Sequence, residues 1–182
     1  CRLAGLPTNK QVLASSWKEA EDFLDETLWK PSKSSTTSSI KGRKSKTACV
    51  VKPNRGVASD GVTFCISKEE VKKAFNKILA SPAYGEINAK NQAVLVQEFT
   101  PGGEEYAVDT VTCGGVTRVA ALWRYEKIKA NGSPFIYQCS ELIDVDCDNE
   151  RDQIVRRKVV NYAVKALQAQ GLKYGPCHIE VK

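Results

Sequence analysis

The chain has no methionine and only one histidine, His178, among its 182 residues. Its seven cysteines, at 1, 49, 65, 113, 139, 147 and 177, include no CxxC pair. One histidine and no close cysteine pair exclude the ligand spacing of a structural zinc site. The odd count and wide spacing fit free thiols in a reducing compartment, so a cytoplasmic location is expected. No apolar run reaches the roughly 18 residues that a membrane-spanning helix needs, and no membrane partner is expected. No secretory leader pattern is visible. Charge of one sign is not concentrated: 27 basic and 21 acidic residues leave a net charge of +6, and apart from a patch at 41–46 the lysines are scattered. A nucleic-acid binder collects its basic residues on one face with aromatics between them, so no nucleic-acid partner is expected. The mild positive excess suits an anionic small molecule such as a nucleotide. The missing methionine, the start at Cys1 and the stop at "HIEVK" lead us to expect an excerpt of a longer chain.

What is present is enough for a core: 42% of residues are hydrophobic and 26% charged, as in ordinary globular domains. "SSWKEAEDFLDETLW" predicts a helix, with Ser16 and Glu19 as a capping box and Trp17, Ala20, Leu24 and Leu28 as its apolar stripe; Pro31 stops it. Residues 32–47, "SKSSTTSSIKGRKSKT", are polar and basic and predict a mobile loop; a phosphorylated or nucleic-acid-binding tail is the other reading. Residues 48–52 and 62–66 predict two strands. Ser67 and Glu70 cap a second helix, on which Val71, Ala74, Phe75, Ile78 and Leu79 share a face. "AVLVQEF" at 93–99 predicts a strand ended by Pro-Gly-Gly. "EYAVDTVT" and "VTRVAALWRYE" predict a hairpin around Gly114 and Gly115, and "FIYQCSELIDV" a further strand. Residues 150–170 predict the longest helix, ended by Gly171, and a last strand starts near Cys177. This order predicts an α+β fold in two lobes, 1–97 and 98–182.

The stretch "ACVVKPNRGVASDGVTFC" at 48–65 asks a specific question. An apolar strand ends in Lys52, runs through a small-residue loop and returns as an apolar strand. The loop is not a Walker A loop, because its lysine precedes the glycines and no helix follows. A hairpin tip of this kind can lay backbone N–H groups on phosphates. Gly56 and Gly61 would let the backbone approach closely, Ser59 could donate a hydroxyl, and Lys52 would add a point charge. On composition alone, a plain hairpin with a solvated lysine explains the stretch equally well.

Carboxylates recur at strand ends. Gln97 and Glu98 close one apolar strand, Glu105 opens the next, and Asp109 lies four residues on. In "GPCHIEV", His178 and Glu180 are two apart and share one side of a strand. A carboxylate facing a phosphate-binding loop is what magnesium coordination needs.

Taken together, "CVVKPNRGVASDGV", "VLVQEFTPGGEEYAVDTV", "YEK" and "GPCHIEV", with "AGLPT" near the start, resemble the ATP-grasp superfamily, and within it the carboxylate–amine ligases that join L-amino acids. The resemblance runs from about residue 3 to the end. It implies a two-lobed fold with ATP between the lobes and Mg2+ as cofactor. It places Lys52 against the phosphates and the N7 side of adenine. Residues 54–62, including Asn54, Arg55, Ser59, Gly61 and Val62, become the loop that closes over the phosphates. Gln97, Glu98, Phe99 and Thr100 become the hinge against the adenine, Glu105 the holder of the ribose hydroxyls, and Glu180 a magnesium ligand. Lys52 and Glu180 would be the catalytic residues.

The implied reaction uses ATP to phosphorylate a carboxylate, whose acyl phosphate an amine then attacks; the partners would be ATP, a carboxylate and an amine. "PGGEEY" is one residue longer than the family's usual spacing, so Glu104 competes with Glu105 for the ribose role. The family's second metal carboxylate would lie beyond residue 182 and its substrate-side lobe before residue 1. Other readings stay open: a nucleotide-binding module without turnover, ATP-dependent carboxylation, and a basic nucleic-acid-binding domain resting only on the 41–46 patch.

Overall fold

A computed structural model describes residues 1–29, 48–57, 59–86, 88–130, 132–144 and 150–182. The stop at Pro31 and the insert at 32–47 lie outside the described residues. The chain is α+β and forms two compact units: Asn9–Phe99, and Cys1–Thr8 together with Thr100–Lys182. The division falls two residues after the expected joint. Cys1–Thr8 joins the second unit, where the Tyr162 hydroxyl donates to the Pro7 carbonyl at 2.6 Å.

The Asn9–Phe99 unit contains β1 (Gln11–Ala14), α1 (Trp17–Phe23), β2 (Cys49–Pro53), β3 (Thr63–Cys65), α2 (Lys68–Ala80) and β4 (Val94–Glu98). Its antiparallel sheet has the order β1-β4-β2-β3. The alternation of β2 and β4 turns Cys49, Val51, Val94 and Val96 into a core shared with Ala20, Leu24, Val71 and Phe75. Phe75 is 1% exposed, and burial of such a side chain stabilises by about 1.5–3 kcal/mol.

Both helix starts use the same device. Ser16 Oγ accepts from Glu19 N–H at 3.4 Å and Ser67 Oγ from Glu70 N–H at 3.2 Å. The glutamates reach one residue further back than a capping box requires, to the N–H of Ser15 at 2.8 Å and of Ile66 at 2.7 Å. After Phe23 the first helix widens into a π turn, Leu24–Leu28, closed by Trp29 N–H on the Leu24 carbonyl. Strand β1 was not expected from the sequence: four residues carry too little alternation to announce a strand, and its pairing with β4 decides it.

The other unit contains β5 (Glu105–Cys113), β6 (Val116–Ala130), β7 (Ser133–Leu142), α3 (Glu150–Ala169) and β8 (Gly175–Val181), with antiparallel order β7-β6-β5-β8. Helix α3 covers one sheet face, where Tyr106, Val108, Leu122 and Ala163 are buried and Val155, Val159 and Ile179 pack around them. Gly171, at φ +72°, ends the helix region in the left-handed conformation that glycine adopts without strain. Strand β8 starts two residues earlier than expected, because Gly175 and Pro176 already pair with Thr112 and Val111. Among the described residues no helix is long and apolar enough to cross a membrane.

Candidate functional site

The residues expected to act fall into two groups, one in each unit. The first is built on the β2–β3 hairpin. Strand alternation turns Val50 and Lys52 to the sheet face opposite the core. Val50 stands across from Gln97 and Lys52 across from Leu95, so Lys52 and Gln97 share that face on neighbouring strands. Gln97 donates to Gln11 Oε1 at 2.7 Å on the next strand. Lys52 is half-buried and makes no ion pair among the described residues.

Beyond Lys52 the chain folds back over the Pro53 ring. Gly61 has φ +70°, and a Cβ there would lie 3.1 Å from Pro53 Cδ, so a side chain meets both strain and a clash. Ser59 also takes a left-handed backbone, φ 63°, a rare conformation for a residue with a side chain. Asp60 N–H donates to Val57 O at 2.9 Å and Val62 N–H to Ser59 O at 3.2 Å, which closes the turn. Arg55, beside Asn54, pairs with Glu86 at 2.6 Å; both side chains are mostly exposed, so the pair contributes roughly 0–1 kcal/mol.

At the far end of β4 the expected hinge is already engaged. Glu98 N–H donates to the Lys10 carbonyl at 2.8 Å, and Phe99 N–H to Ala48 O at 3.0 Å. Asn9 Nδ2 donates to the Glu98 carbonyl at 3.4 Å. The Phe99 ring meets Phe64 edge-on at 4.9 Å. Thr100 opens the other unit.

The second group lies on the β5–β8 sheet, on the face turned away from α3. Glu105, Ala107 and Asp109 alternate onto it, and the register brings Tyr125, Trp123, Glu180 and His178 beside them. Lys127 ion-pairs with Glu105 Oε1 and stands 4.3 Å from the Tyr137 ring centroid. Burial works against the Lys127 charge, but the bonds to Glu105 and Tyr137 outweigh it and its pKa is raised. The Tyr137 hydroxyl donates to Glu180 Oε1 at 3.4 Å, and Tyr137 meets Tyr125 edge-on at 5.2 Å. Asp109 takes His178 Nδ1 on one oxygen at 2.6 Å and Trp123 Nε1 on the other at 2.7 Å. These bonds, His178 first, hold its carboxyl below the usual range. His178 Nε2 in turn lies 3.2 Å from the Tyr125 hydroxyl.

Glu104 and Glu105 are separated by this geometry. Glu104 turns toward α3, where it accepts from the Tyr106 hydroxyl at 2.7 Å and from Arg151 at 3.0 Å. The Tyr106 bond, helped by the Arg151 charge, lowers the Glu104 pKa. Burial and that same bond push Tyr106 up to about 12. Only Glu105 is on the face that carries Glu180.

Sequence reasoning assigned no role to Lys127, Tyr125, Tyr137 or Trp123, and left Asp109 without one. For Lys127 a signal existed in "YEK"; the others stand out only once strand register is known. Among the described residues no three His, Cys, Asp or Glu side chains converge as a metal site. Glu180 therefore offers one hard oxygen donor, which suits magnesium but does not by itself make a cage.

Comparisons with known proteins bear on what the two groups serve. The chain is 31% identical over 132 residues, 72% of its length, to dapdiamide A synthase from Enterobacter agglomerans, of which it spans 29%. The crystal structure of an L-amino acid ligase from Bacillus licheniformis superposes on all of the chain with a TM-score of 0.61 at 19% identity. The biotin carboxylase domain of the Hydrogenobacter thermophilus 2-oxoglutarate carboxylase, solved with MgADP, ADP and bicarbonate, superposes on 98% with a TM-score of 0.61 at 14% identity. The chain spans 34% of each of these two solved chains. At such identities they show the fold alone. Residues 45–182 match the ATP-grasp domain along most of the chain, and the protein belongs to the ATP-grasp family.

Proposed function

We propose that the protein is an ATP-dependent ligase that joins a carboxylate to an amine through an acyl phosphate. The observation that carries this reading is the shared sheet face of Glu105, Lys127 and Glu180 within a chain 31% identical to a synthase. The two compact units are read as the two lobes, and ATP as the nucleotide bound. Lys52 takes the phosphates and the N7 side of adenine, and the loop at 54–62 closes over them. Gln97, Glu98, Phe99 and Thr100 form the hinge on the adenine. Because Phe99 N–H is already bonded to Ala48, the adenine would use other groups of this segment. Lys127 engages Glu105 Oε1, so the ribose hydroxyls would go to Oε2.

A carboxylate resists attack because its charge repels a nucleophile. Phosphorylation removes that charge and supplies a leaving group, which the amine displaces. The transferring phosphoryl group spreads negative charge over its oxygens, and cations fixed there stabilise it. Lys52 and Lys127 are the cations this chain would bring, Lys127 held in place by Glu105. Glu180 would hold a magnesium ion together with phosphate oxygens, and when bound that ion supplies charge neutralisation at the phosphates. Closure of the loop at 54–62 would exclude water, which otherwise hydrolyses the acyl phosphate. A cytoplasmic location is part of the same reading, since this chemistry draws on cellular ATP.

ATP-dependent carboxylation is the second reading, because the L-amino acid ligase and the carboxylase domain share this fold and the fold does not separate the two chemistries. The two separate in one assay. The protein is given ATP, magnesium and amino acids as carboxylate and amine, and hydroxylamine is added to trap an acyl phosphate as its hydroxamate. ADP release that needs the carboxylate, with hydroxamate formed, is the expected result. ADP release driven by bicarbonate, without hydroxamate, would move the assignment to carboxylation. ADP binding without turnover under either condition would leave a nucleotide-binding module.

A further inference from the structure

Cys49 and Cys65 stand directly opposite each other on β2 and β3. Both side chains are fully buried, 0% exposed, on the core face of the sheet. Directly opposed residues of an antiparallel pair keep their Cα atoms about 4.5–5.5 Å apart, within the roughly 4.4–6.8 Å that a disulfide spans. Their Cβ atoms lie about 4.5–5.5 Å apart in such pairs, slightly wider than the mean of about 3.8 Å in disulfides. A bond between them therefore needs only a small inward movement, and the resulting bridge would be strained and easily reduced.

We propose that Cys49 and Cys65 form a reversible dithiol–disulfide site, oxidised by small-molecule disulfides, that locks the base of the β2–β3 hairpin. Access comes from the position of β3. It is three residues long, lies at the sheet edge and is paired on one side only, so it opens more readily than the central strands. Opening exposes Cys65 first. The hydrogen bond from Cys49 also favours the thiolate on Cys65 over that on Cys49.

The step balances as thiol–disulfide exchange. The Cys65 thiolate attacks one sulfur of a disulfide of the glutathione type, whose S–S bond breaks and releases one thiolate. A mixed disulfide on Cys65 results. Cys49 gives its proton to water, and its thiolate attacks the Cys65 sulfur, forming the Cys49–Cys65 bond and releasing the second small thiolate. Two protein thiols are oxidised by two electrons, one small disulfide is reduced to two thiols, and the protons pass through water to the leaving groups. The bridge would tie together strand β2, which carries Lys52, and β3 on either side of the loop with Gly56 and Gly61. The chemistry rests on the strand register and not on the proposed function.

The test exposes the protein, without denaturant, to oxidised glutathione, quenches it by alkylation and maps its peptides by mass spectrometry. The expected dominant product is a peptide linking Cys49 to Cys65, with amide exchange at 49–51 and 63–65 slowed at least tenfold and both changes reversed by dithiothreitol. In Cys65→Ser the link is lost and Cys49 is recovered unmodified. If that variant does not fold, the wild-type peptide map and exchange data decide alone. Glutathione on the exposed Cys113 and Cys139, with Cys49 and Cys65 recovered as free thiols, would overturn the proposal. So would a Cys49–Cys65 link that appears only after unfolding in urea.

Discussion

The two candidate groups, one in each unit, handle charge in opposite ways. On the β5–β8 sheet the central groups of the polar face are bound to neighbouring side chains: Lys127 to Glu105, Asp109 to His178 and Trp123, Glu180 to Tyr137. On the β2–β3 hairpin Lys52 stands at the base of a glycine turn and makes no ion pair among the described residues. The sheet half is organised before any ligand arrives. The hairpin half leaves its cation without an ion pair among the described residues, and in the proposed reading that cation meets the nucleotide. The same kind of substitution should therefore damage folding in one half and binding in the other.

The frame beneath the hairpin sets the upper limit of such effects. Phe75→Ala empties the core under β2 and β3 and should cost about 3–5 kcal/mol, read as a lowered midpoint in urea with an unchanged slope. A loss below about 1 kcal/mol would mean that α2 does not hold the hairpin. Asp109→Ala strips the acceptor from both His178 and Trp123. Both Asp109 and His178 are partly exposed and water replaces part of what is lost, so the cost is about 0.5–1.5 kcal/mol and this variant should melt earlier while nucleotide affinity changes little. Lys52→Ala should show the reverse. Losing a charge-assisted bond of about 1.5–3 kcal/mol weakens ATP binding roughly ten- to hundredfold, and the melting temperature without nucleotide stays put. Unchanged ATP affinity by calorimetry would remove Lys52 from the site.

How much of this could be read from the sequence follows the same division. The hairpin was legible because its signals are local: the apolar runs at 49–51 and 63–65, the lysine at the strand end and the two glycines all lie within one short stretch. Both helices at Ser16 and Ser67 were legible for the same reason. The polar face was not. The Asp109–His178 bond joins residues 69 apart in sequence and Lys127–Glu105 residues 22 apart. Lys127 meets Glu105 through the β5–β6 register, which shifts between Asp109 and Thr110, and Asp109 meets His178 through the β5–β8 register. A one-residue shift moves a side chain to the other face, and nothing local to Asp109 announces it. Glu104 and Glu105 could not be told apart in "PGGEEY" because the pleat, rather than the spacing, decides which one turns to α3.

Two smaller effects sharpen the contrast. Glu104 and Asp109 both titrate below the usual range in the folded protein. Their contribution is complete above the ordinary carboxylate range near pH 4 and is lost as pH falls through their depressed folded-state values. Acid should therefore weaken the β5–β8 unit, and Asp109→Asn should flatten that unit's acid profile. An unchanged acid profile in this variant would contradict this. The smallest effect is expected at Arg55→Ala, where the exposed pair with Glu86 contributes roughly 0–1 kcal/mol; a larger drop in stability would show that the loop is held by more than its glycine turn.

The central claim is that Glu180 stands where a metal-bound nucleotide reacts. Glu180→Gln keeps the shape of the side chain and removes its charge. The decisive measurement is ADP release by this variant, with ATP, magnesium, carboxylate and amine all present, beside its affinity for ADP without metal. The account predicts that turnover is abolished while metal-free ADP binding stays nearly intact. Phosphate release at the normal rate with both substrates would show that Glu180 is not the ligand and would contradict the account.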